Sequence, residues 1–228
     1  MGWANMTITE VVQRIGEIGI VPVVRAANPE EAGGAVEAIL AGGIPIVEIT
    51  MTVPSADAVI RDVRQRYGSK VLTGAGTVLS AEQANLCLDA GAQFLVSPGL
   101  VPPVLEAAQA RGVLAIPGAL TPTELAIATQ LGATLVKIFP CGNVGGPKYL
   151  KALRGPFPNA RLIPTGGVNV SNAADYIAAG AFALGVGSDL VDQAAIRAGN
   201  SQKVVETAMA LVQAVQSARQ FARKTAVS

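Results

Sequence analysis

Short apolar runs rich in β-branched residues alternate along the chain with longer segments of helical spacing. This alternation is typical of βα units built around a parallel sheet. The runs begin at intervals of roughly 20 to 27 residues with no linker between them, which fits one closed barrel of minimal size. We therefore predict an α/β protein with a single (β/α)8 TIM barrel domain over residues 1–228. Its predicted strands are residues 18–24, 44–50, 70–74, 94–97, 114–116, 135–139, 162–164 and 183–185.

Local signals indicate where helices begin and how the barrel is extended. Asn28-Pro29 and Thr121-Pro122 each place an N-cap residue before a proline, and Glu124 adds a capping-box partner. An extra N-terminal helix is predicted at residues 7–16, before the first strand. A long last helix is predicted at residues 201–224, where apolar positions recur at helical spacing.

The composition excludes several classes of function. The chain has no histidine, which removes the commonest general base and the usual zinc ligand. Ser-His triads and zinc-dependent enzymes are therefore poor candidates, and we expect no metal and no cofactor. The formal net charge is only +1, without a polybasic block, so we expect no nucleic-acid partner and no membrane partner.

The pattern of apolar runs and cysteines also bears on location. Residues 1–10 lack the features of a secretory signal, and glycine, proline or charge interrupts every apolar run before about 18 residues. Cys87 and Cys141 are too few for a disulfide framework, and we interpret both as reduced. A cytoplasmic protein is expected.

One lysine interrupts a run that otherwise has the apolar pattern of a buried strand. Lys137 lies in Leu135-Val136-Lys137-Ile138-Phe139-Pro140. An amine held in an apolar pocket is favoured in its neutral form, and a neutral amine is a nucleophile. The central hypothesis is that Lys137 attacks a substrate carbonyl and forms a Schiff base.

An acidic residue in another predicted strand is the natural counterpart of this lysine. Glu48 lies in Ile46-Val47-Glu48-Ile49-Thr50, and strand alternation gives Glu48 and Lys137 one defined face each. If both faces point inward, an amine and a carboxylate meet inside the barrel. Schiff-base chemistry needs proton transfers beside the lysine, which such a carboxylate performs. The competing interpretation is a structural ion pair.

Two glycine-rich turns follow the last two predicted strands. They are Pro164-Thr165-Gly166-Gly167-Val168 and Gly185-Val186-Gly187-Ser188-Asp189, the second of which is predicted to open a helix. Backbone N–H groups in such turns approach anions closely, and barrel enzymes often bind phosphate after strands 7 and 8. A phosphorylated substrate is therefore expected.

Other corners near the predicted strand ends are suited to a carboxylate. Gly74-Ala75-Gly76-Thr77 is predicted to follow the third strand, and Ser97-Pro98-Gly99 the fourth. Arg25 directly follows the first strand, and beside an anionic site we interpret it as a substrate-binding cation.

The ordered set of motifs resembles the class I 2-keto-3-deoxy-6-phosphogluconate (KDPG) aldolases and the related 4-hydroxy-2-oxoglutarate and 2-keto-3-deoxy-6-phosphogalactonate aldolases. The matching motifs are Val21-Pro22-Val23-Val24-Arg25, Val47-Glu48-Ile49-Thr50, Gly74-Ala75-Gly76-Thr77-Val78, Ser97-Pro98-Gly99, Val136-Lys137-Ile138-Phe139-Pro140 and Pro164-Thr165-Gly166-Gly167-Val168. The resemblance implies a metal-free homotrimer that takes a small phosphorylated keto acid.

The same resemblance implies roles for individual residues. Lys137 would be the Schiff-base lysine and Glu48 the general acid/base. Residues around the pyruvate and sugar-acid part would be Arg25, Thr77, Pro98 and Thr165. Residues around the phosphate would be Gly166, Gly167, Gly187 and Ser188.

One position departs from the family pattern. Many members have an arginine two residues after the threonine of the Glu-x-Thr motif, where this chain has Thr52. Carboxylate binding would then fall to backbone N–H groups, Thr77 or Arg25. The expected reaction is cleavage of KDPG to pyruvate and glyceraldehyde 3-phosphate, with the phosphogalactonate and 4-hydroxy-2-oxoglutarate reactions as alternatives. A phosphate-binding isomerase or epimerase and a catalytically silent phospho-metabolite sensor are competing functions.

Overall fold

The computed structural model describes residues 6–227 of the chain. Within this part there are nine short strands, almost all of whose residues are buried. Buried strands with near-continuous apolar sequence are expected of a parallel sheet that is covered on both faces. The strands are Ile20–Val24 (β1), Ile46–Thr50 (β2), Leu72–Gly76 (β3), Phe94–Val96 (β4), Leu114–Ile116 (β5), Gly118–Ala119 (β6), Val136–Ile138 (β7), Leu162–Pro164 (β8) and Leu184–Val186 (β9).

Helices connect the strands and cover the sheet. They are Ile8–Ile18 (α1), Pro29–Ala41 (α2), Ala56–Tyr67 (α3), Ala81–Asp89 (α4), Pro102–Ala110 (α5), Pro122–Gln130 (α6), Pro147–Arg154 (α7), Ala173–Ala178 (α8), Gln193–Arg197 (α9) and Gln202–Val227 (α10), with 3-10 turns at Gly68–Lys70 and Gly142–Val144. The predicted N-caps are present: the Asn28 side chain accepts from the Glu31 N–H, and Thr121 forms a capping box with Glu124.

All strand pairs are parallel and form two sheets. The larger sheet has the order β5-β4-β3-β2-β1-β9, and the smaller has the order β6-β7-β8. A single bridge between Thr165 and Gly185 connects the end of the smaller sheet to β9. The chain therefore has an α/β fold with a curled parallel sheet.

The predicted fifth strand, residues 114–116, matches β5, but the short strand β6 that follows it was not predicted. Pro117 separates β5 from β6, and β5 pairs with β4 whereas β6 pairs with β7. Proline has no N–H, so it cannot donate to a ladder at that point. Its carbonyl still accepts from the Lys137 N–H at 2.9 Å, which holds the strand carrying that lysine in register.

Most predicted strands differ from the structure by one or two residues at an end, and two of these differences affect the account of the site. Ile18 belongs to α1, because Gly19 ends that helix in the left-handed conformation, with φ of 75°. The third strand runs to Gly76 rather than ending at Gly74. The residues expected to form a loop there are therefore the last pairs of β3 with β2, including Thr50 opposite Gly76.

The first and last helices pack on the outside of the strands. Helix α1 contacts β5 and buries Val11, Val12 and Ile15, and α10 contacts α2 and α8. Arg219 on α10 donates hydrogen bonds to the carbonyls of Glu17 and Phe182. Across residues 6–227, no helix is long and apolar enough to cross a membrane.

Candidate active site

The amine of Lys137 and the carboxylate of Glu48 lie together inside the curled sheet. Lys137 is the central residue of β7 and Glu48 the central residue of β2, and their Nζ and Oε1 atoms are 3.9 Å apart. Their side chains are 5% and 3% exposed, so the pair is almost removed from solvent. At 3.9 Å the two groups attract each other without a normal hydrogen bond.

Glu48 lacks the partners that a buried carboxylate normally has. Its Oε1 atom accepts no hydrogen bond from the residues that the structure describes. Burial raises the pKa of Glu48, and the charges of Lys137 and Arg25 oppose that shift. A buried carboxyl group with a raised pKa and an unpaired oxygen is suited to taking up and giving back a proton.

Aromatic and cationic side chains surround this pair. The ring centroid of Phe139 lies 5.3 Å from the Lys137 Nζ, within the range of a cation–π contact. Arg25 is half-buried directly after β1 and is close enough to Glu48 to influence its pKa. A Cβ placed on Gly187 would lie 3.2 Å from the Arg25 Nη1, so the guanidinium group also lies against the turn after β9.

The turn after β8 leaves backbone donors free. Gly166 and Gly167 have φ angles of 88° and 76°, a conformation that glycine adopts without strain. The Gly166 carbonyl accepts from the Gly142 N–H, and the Gly167 carbonyl accepts from the Asn172 side chain. Their own N–H groups have no protein acceptor in the described part of the chain.

The turn after β9 is arranged similarly but does not open a helix, contrary to the sequence prediction. The N–H groups of Leu190 and Val191 both donate to the Gly187 carbonyl, which closes a single turn. Helix α9 begins only at Gln193, because the Asp192 side chain caps it. Within residues 6–227, the N–H groups of Gly187 and Ser188 have no protein acceptor.

The remaining predicted residues lie at the carboxyl ends of their strands. Thr77 follows β3 with a φ of 57°, which is strained for a β-branched residue, and its N–H has no acceptor among the described residues. Pro98 follows β4. A Cβ placed on Gly118 would lie 2.6 Å from the backbone nitrogen of Gly99, the residue after Pro98. Thr165 is buried after β8, and its Oγ1 donates to the Ile163 carbonyl.

The hydrogen bonds of Thr50 and Thr52 determine which of the two hydroxyl groups is the donor. Thr50 Oγ1 donates to the Val24 carbonyl at 2.9 Å and lies 2.7 Å from Thr52 Oγ1. A hydroxyl has one proton, so Thr52 must be the donor to Thr50. The exposed Thr52 oxygen is therefore left as an acceptor.

Comparison with known families covers most of the chain, including Glu48 and Lys137. The model of the KDPG and KHG aldolase family matches residues 11–207, which is most of the chain. The chain belongs to this family. The resemblance inferred from the sequence motifs is thereby confirmed.

Individual members of the KDPG and KHG aldolase family are similar over nearly their whole length. A 2-dehydro-3-deoxy-phosphogluconate aldolase of Treponema pallidum is 37% identical over 210 residues, which cover 92% of this chain and 98% of the relative. A 2-dehydro-3-deoxy-6-phosphogalactonate aldolase of Escherichia coli is 35% identical over 206 residues, covering 90% and 98%. Both sugar-acid series are thus represented at similar identity.

Solved structures agree with the fold. The KDPG aldolase of Legionella pneumophila, with pyruvate captured at low pH as a covalent carbinolamine intermediate, has a TM-score of 0.82 at 32% identity, over 88% of this chain and 97% of that one. A cage designed by fusing symmetric oligomeric domains has a TM-score of 0.83 at 32% identity, over 92% and 76%.

Two contacts of this site were not predicted from the sequence. Phe139 was assigned to a strand, but its ring lies beside the Lys137 amine. Gly76 was assigned to a loop, but it lies in β3 against the Glu48 side chain. Alternation along the strand that carries Lys137 places Phe139 on the same face, and this pattern could have predicted their contact. Nothing in the sequence indicates that Gly76 contacts Glu48.

Proposed function

We propose that this chain is a class I aldolase, a carbon–carbon lyase that cleaves KDPG to pyruvate and glyceraldehyde 3-phosphate. The observation that carries the proposal is the buried amine of Lys137, 3.9 Å from a Glu48 oxygen that has no other described partner. A Schiff-base enzyme needs a nucleophilic amine and an adjacent group that moves protons, both shielded from bulk water.

The reaction begins at the keto carbon of the substrate. The neutral Lys137 amine adds to C2 and forms a carbinolamine, which loses water to give a protonated imine. Glu48 then takes the proton of the C4 hydroxyl, directly or through a water molecule. The C3–C4 bond breaks, its electron pair moves toward the imine, and glyceraldehyde 3-phosphate leaves an enamine on Lys137. Protonation of C3 and hydrolysis of the imine release pyruvate and restore the amine.

The free backbone donors support binding of the substrate's phosphate. Gly166, Gly167, Gly187 and Ser188 offer N–H groups without protein acceptors in the described residues, and Arg25 adds a positive charge beside Gly187. Such a cradle favours a dianionic group. The other anionic end, the carboxylate, is assigned to the region of Thr77, Pro98 and Thr165, where the Thr77 N–H is also free.

We extend the proposal to the architecture that holds this site. The two sheets are proposed to form one closed (β/α)8 barrel domain, with α1 as an additional N-terminal helix. Its support comes from hydrogen bonds across the gaps, from the Phe182 N–H to the Leu162 carbonyl and from the Gly118 N–H to the Gly99 carbonyl. A homotrimer is proposed as the assembly, supported by the likeness to a chain built from symmetric oligomeric domains.

Borohydride trapping tests the mechanism. The wild-type protein incubated with pyruvate and reductant should gain one reduced pyruvyl group, located at Lys137 by peptide mass spectrometry. Lys137→Met should gain none, whereas the control Lys151→Met, on the exposed face of α7, should be labelled like the wild type. An adduct at another lysine, or no adduct on the wild type, would overturn the assignment.

The similar identity to a phosphogalactonate aldolase supports a second substrate for the same reaction. Turnover should therefore be measured side by side on the phosphogluconate, the phosphogalactonate and 4-hydroxy-2-oxoglutarate. A kcat/KM for KDPG that exceeds the other two supports the proposed substrate. A preference for either alternative would reassign the substrate and leave the Schiff-base chemistry in place.

A further inference from the structure

The last two inward-facing positions of β3 carry no side chain. Gly74 and Gly76 are two residues apart and therefore share one face of the strand, about 7 Å from each other. A Cβ on Gly76 would lie 2.6 Å from the Glu48 Cδ and 2.7 Å from its Cγ, and closer still to Oε1. A Cβ on Gly74 would lie 2.5 Å from the Phe94 Cε1 and closer still to two other ring atoms.

Neighbouring strands fill the space that these two glycines leave. Glu48 comes from β2 and Phe94 from β4, and both are buried. Without a side chain on β3, the carboxylate and the ring lie directly against its backbone. Burial in this position raises the pKa of Glu48.

We propose that Gly76 is a positioning residue of the aldolase site, because it holds the Glu48 carboxylate at its working distance from Lys137. This inference rests on the proposed function for its catalytic consequence, but its structural part does not. The side chain of Glu48 is 3% exposed, so it has little room to swing away from an added methyl group. The contact also involves Cγ and Cδ, which follow the backbone more closely than the carboxylate oxygens do.

Gly76→Ala should affect mainly Glu48, the group proposed to transfer protons. The methyl group occupies the space that the Glu48 carboxylate fills, so the carboxylate must move from its present position beside Lys137. We expect kcat to fall by roughly 100-fold or more, the range that a lost general acid/base produces. In the residual activity, the limb of the pH–rate profile that reports Glu48 should shift, because the pKa of Glu48 depends on its burial and on the charge of Lys137 beside it.

A double-mutant cycle in thermal stability isolates the contact from catalysis. Gly76→Ala alone should lower Tm by roughly 2–12 °C, as expected for an overpacked site in a chain of this size. In the Glu48→Ala background the same substitution should cost almost nothing, because the atoms it would meet are gone. Gly74→Ala should lower Tm equally in both backgrounds, because its obstacle is Phe94. Gly33→Ala lies inside α2, and its Cβ would meet no atom within 4 Å, so this control is expected to keep wild-type activity and to raise Tm slightly through the helix propensity of alanine.

These experiments distinguish the positioning role of Gly76 from the proposed aldolase activity. Coupling between positions 76 and 48 in Tm, with a reduced kcat and a shifted pH limb, supports the positioning role. An equal loss of Tm for Gly76→Ala with and without the Glu48 side chain would overturn it, and so would wild-type kcat with an unshifted profile. Failure of the wild type to form a trapped adduct would instead refute the proposed function and leave the Tm cycle interpretable.

Discussion

Replacing Lys137 by methionine is expected to make folding stability depend on pH through Glu48. The substitution removes the nearest opposing charge, while the burial that raises the pKa of Glu48 remains. The folded variant should therefore hold this carboxyl group protonated further above its ordinary pKa of 4.5. Below that pH the carboxyl is protonated in both the folded and the unfolded chain, so it contributes no pH dependence there.

The size of the effect follows from proton linkage. Each pH unit over which the unfolded chain ionises and the folded chain does not removes about 1.4 kcal/mol of folding stability. From the ordinary pKa of 4.5 to pH 7, the loss attributable to Glu48 is therefore at most about 3.4 kcal/mol. In a chain of this length, that corresponds to a Tm lower by roughly 7–14 °C. Above the folded pKa the loss stops growing.

Thermal unfolding followed by circular dichroism between pH 4.5 and 8 measures this loss. Methionine also fills the apolar pocket well and shifts Tm by a constant, so the change with pH is the informative quantity. The Tm of Lys137→Met relative to wild type should fall as pH rises, and Lys137→Met with Glu48→Gln should show no such fall, because an amide does not titrate. A Tm difference that is the same at pH 5 and pH 7.5 would refute the reasoning.

Two further predictions concern the binding residues. Arg25→Gln should lower kcat/KM by about 10- to 100-fold, mainly through KM, because a charge-assisted contact of about 1.5–3 kcal/mol is lost, and equal kinetics would show that Arg25 does not contact the substrate. Gly185→Ala should lower Tm by roughly 2–12 °C, because its Cβ would lie 3.0 Å from the Thr165 Cβ and closer to Oγ1. Adding Thr165→Ala should recover most of that Tm, and no recovery would place the clash elsewhere.

The spacing of apolar runs was sufficient to predict an α/β chain with parallel strands. Each of the eight predicted strands corresponds to one strand of the structure, because buried parallel strands need apolar side chains on both faces. The ninth strand, β6, was not predicted, and it begins after Pro117, where a residue without an N–H ends one ladder and lets the next begin. A proline inside an apolar run was a usable signal for that break.

Turn chemistry was predicted less well than strands. The glycine and serine at Gly187 and Ser188 favour the prediction of a helix start there. In the structure the helix begins after Asp192, whose side chain caps it. Local sequence offers two competing starts a few residues apart.

The sequence by itself determined that a lysine and a glutamate each interrupt an apolar strand, and that glycine-rich turns follow two late strands. It could not determine which strands are neighbours in space, because periodicity assigns a face to a side chain but not a partner across the interior. Only the tertiary structure places Glu48 and Lys137 3.9 Å apart, although 89 positions separate them in the chain. It also reveals that Gly76 lies against the carboxylate, since that contact depends on the register of β3 beside β2 rather than on any local property of glycine.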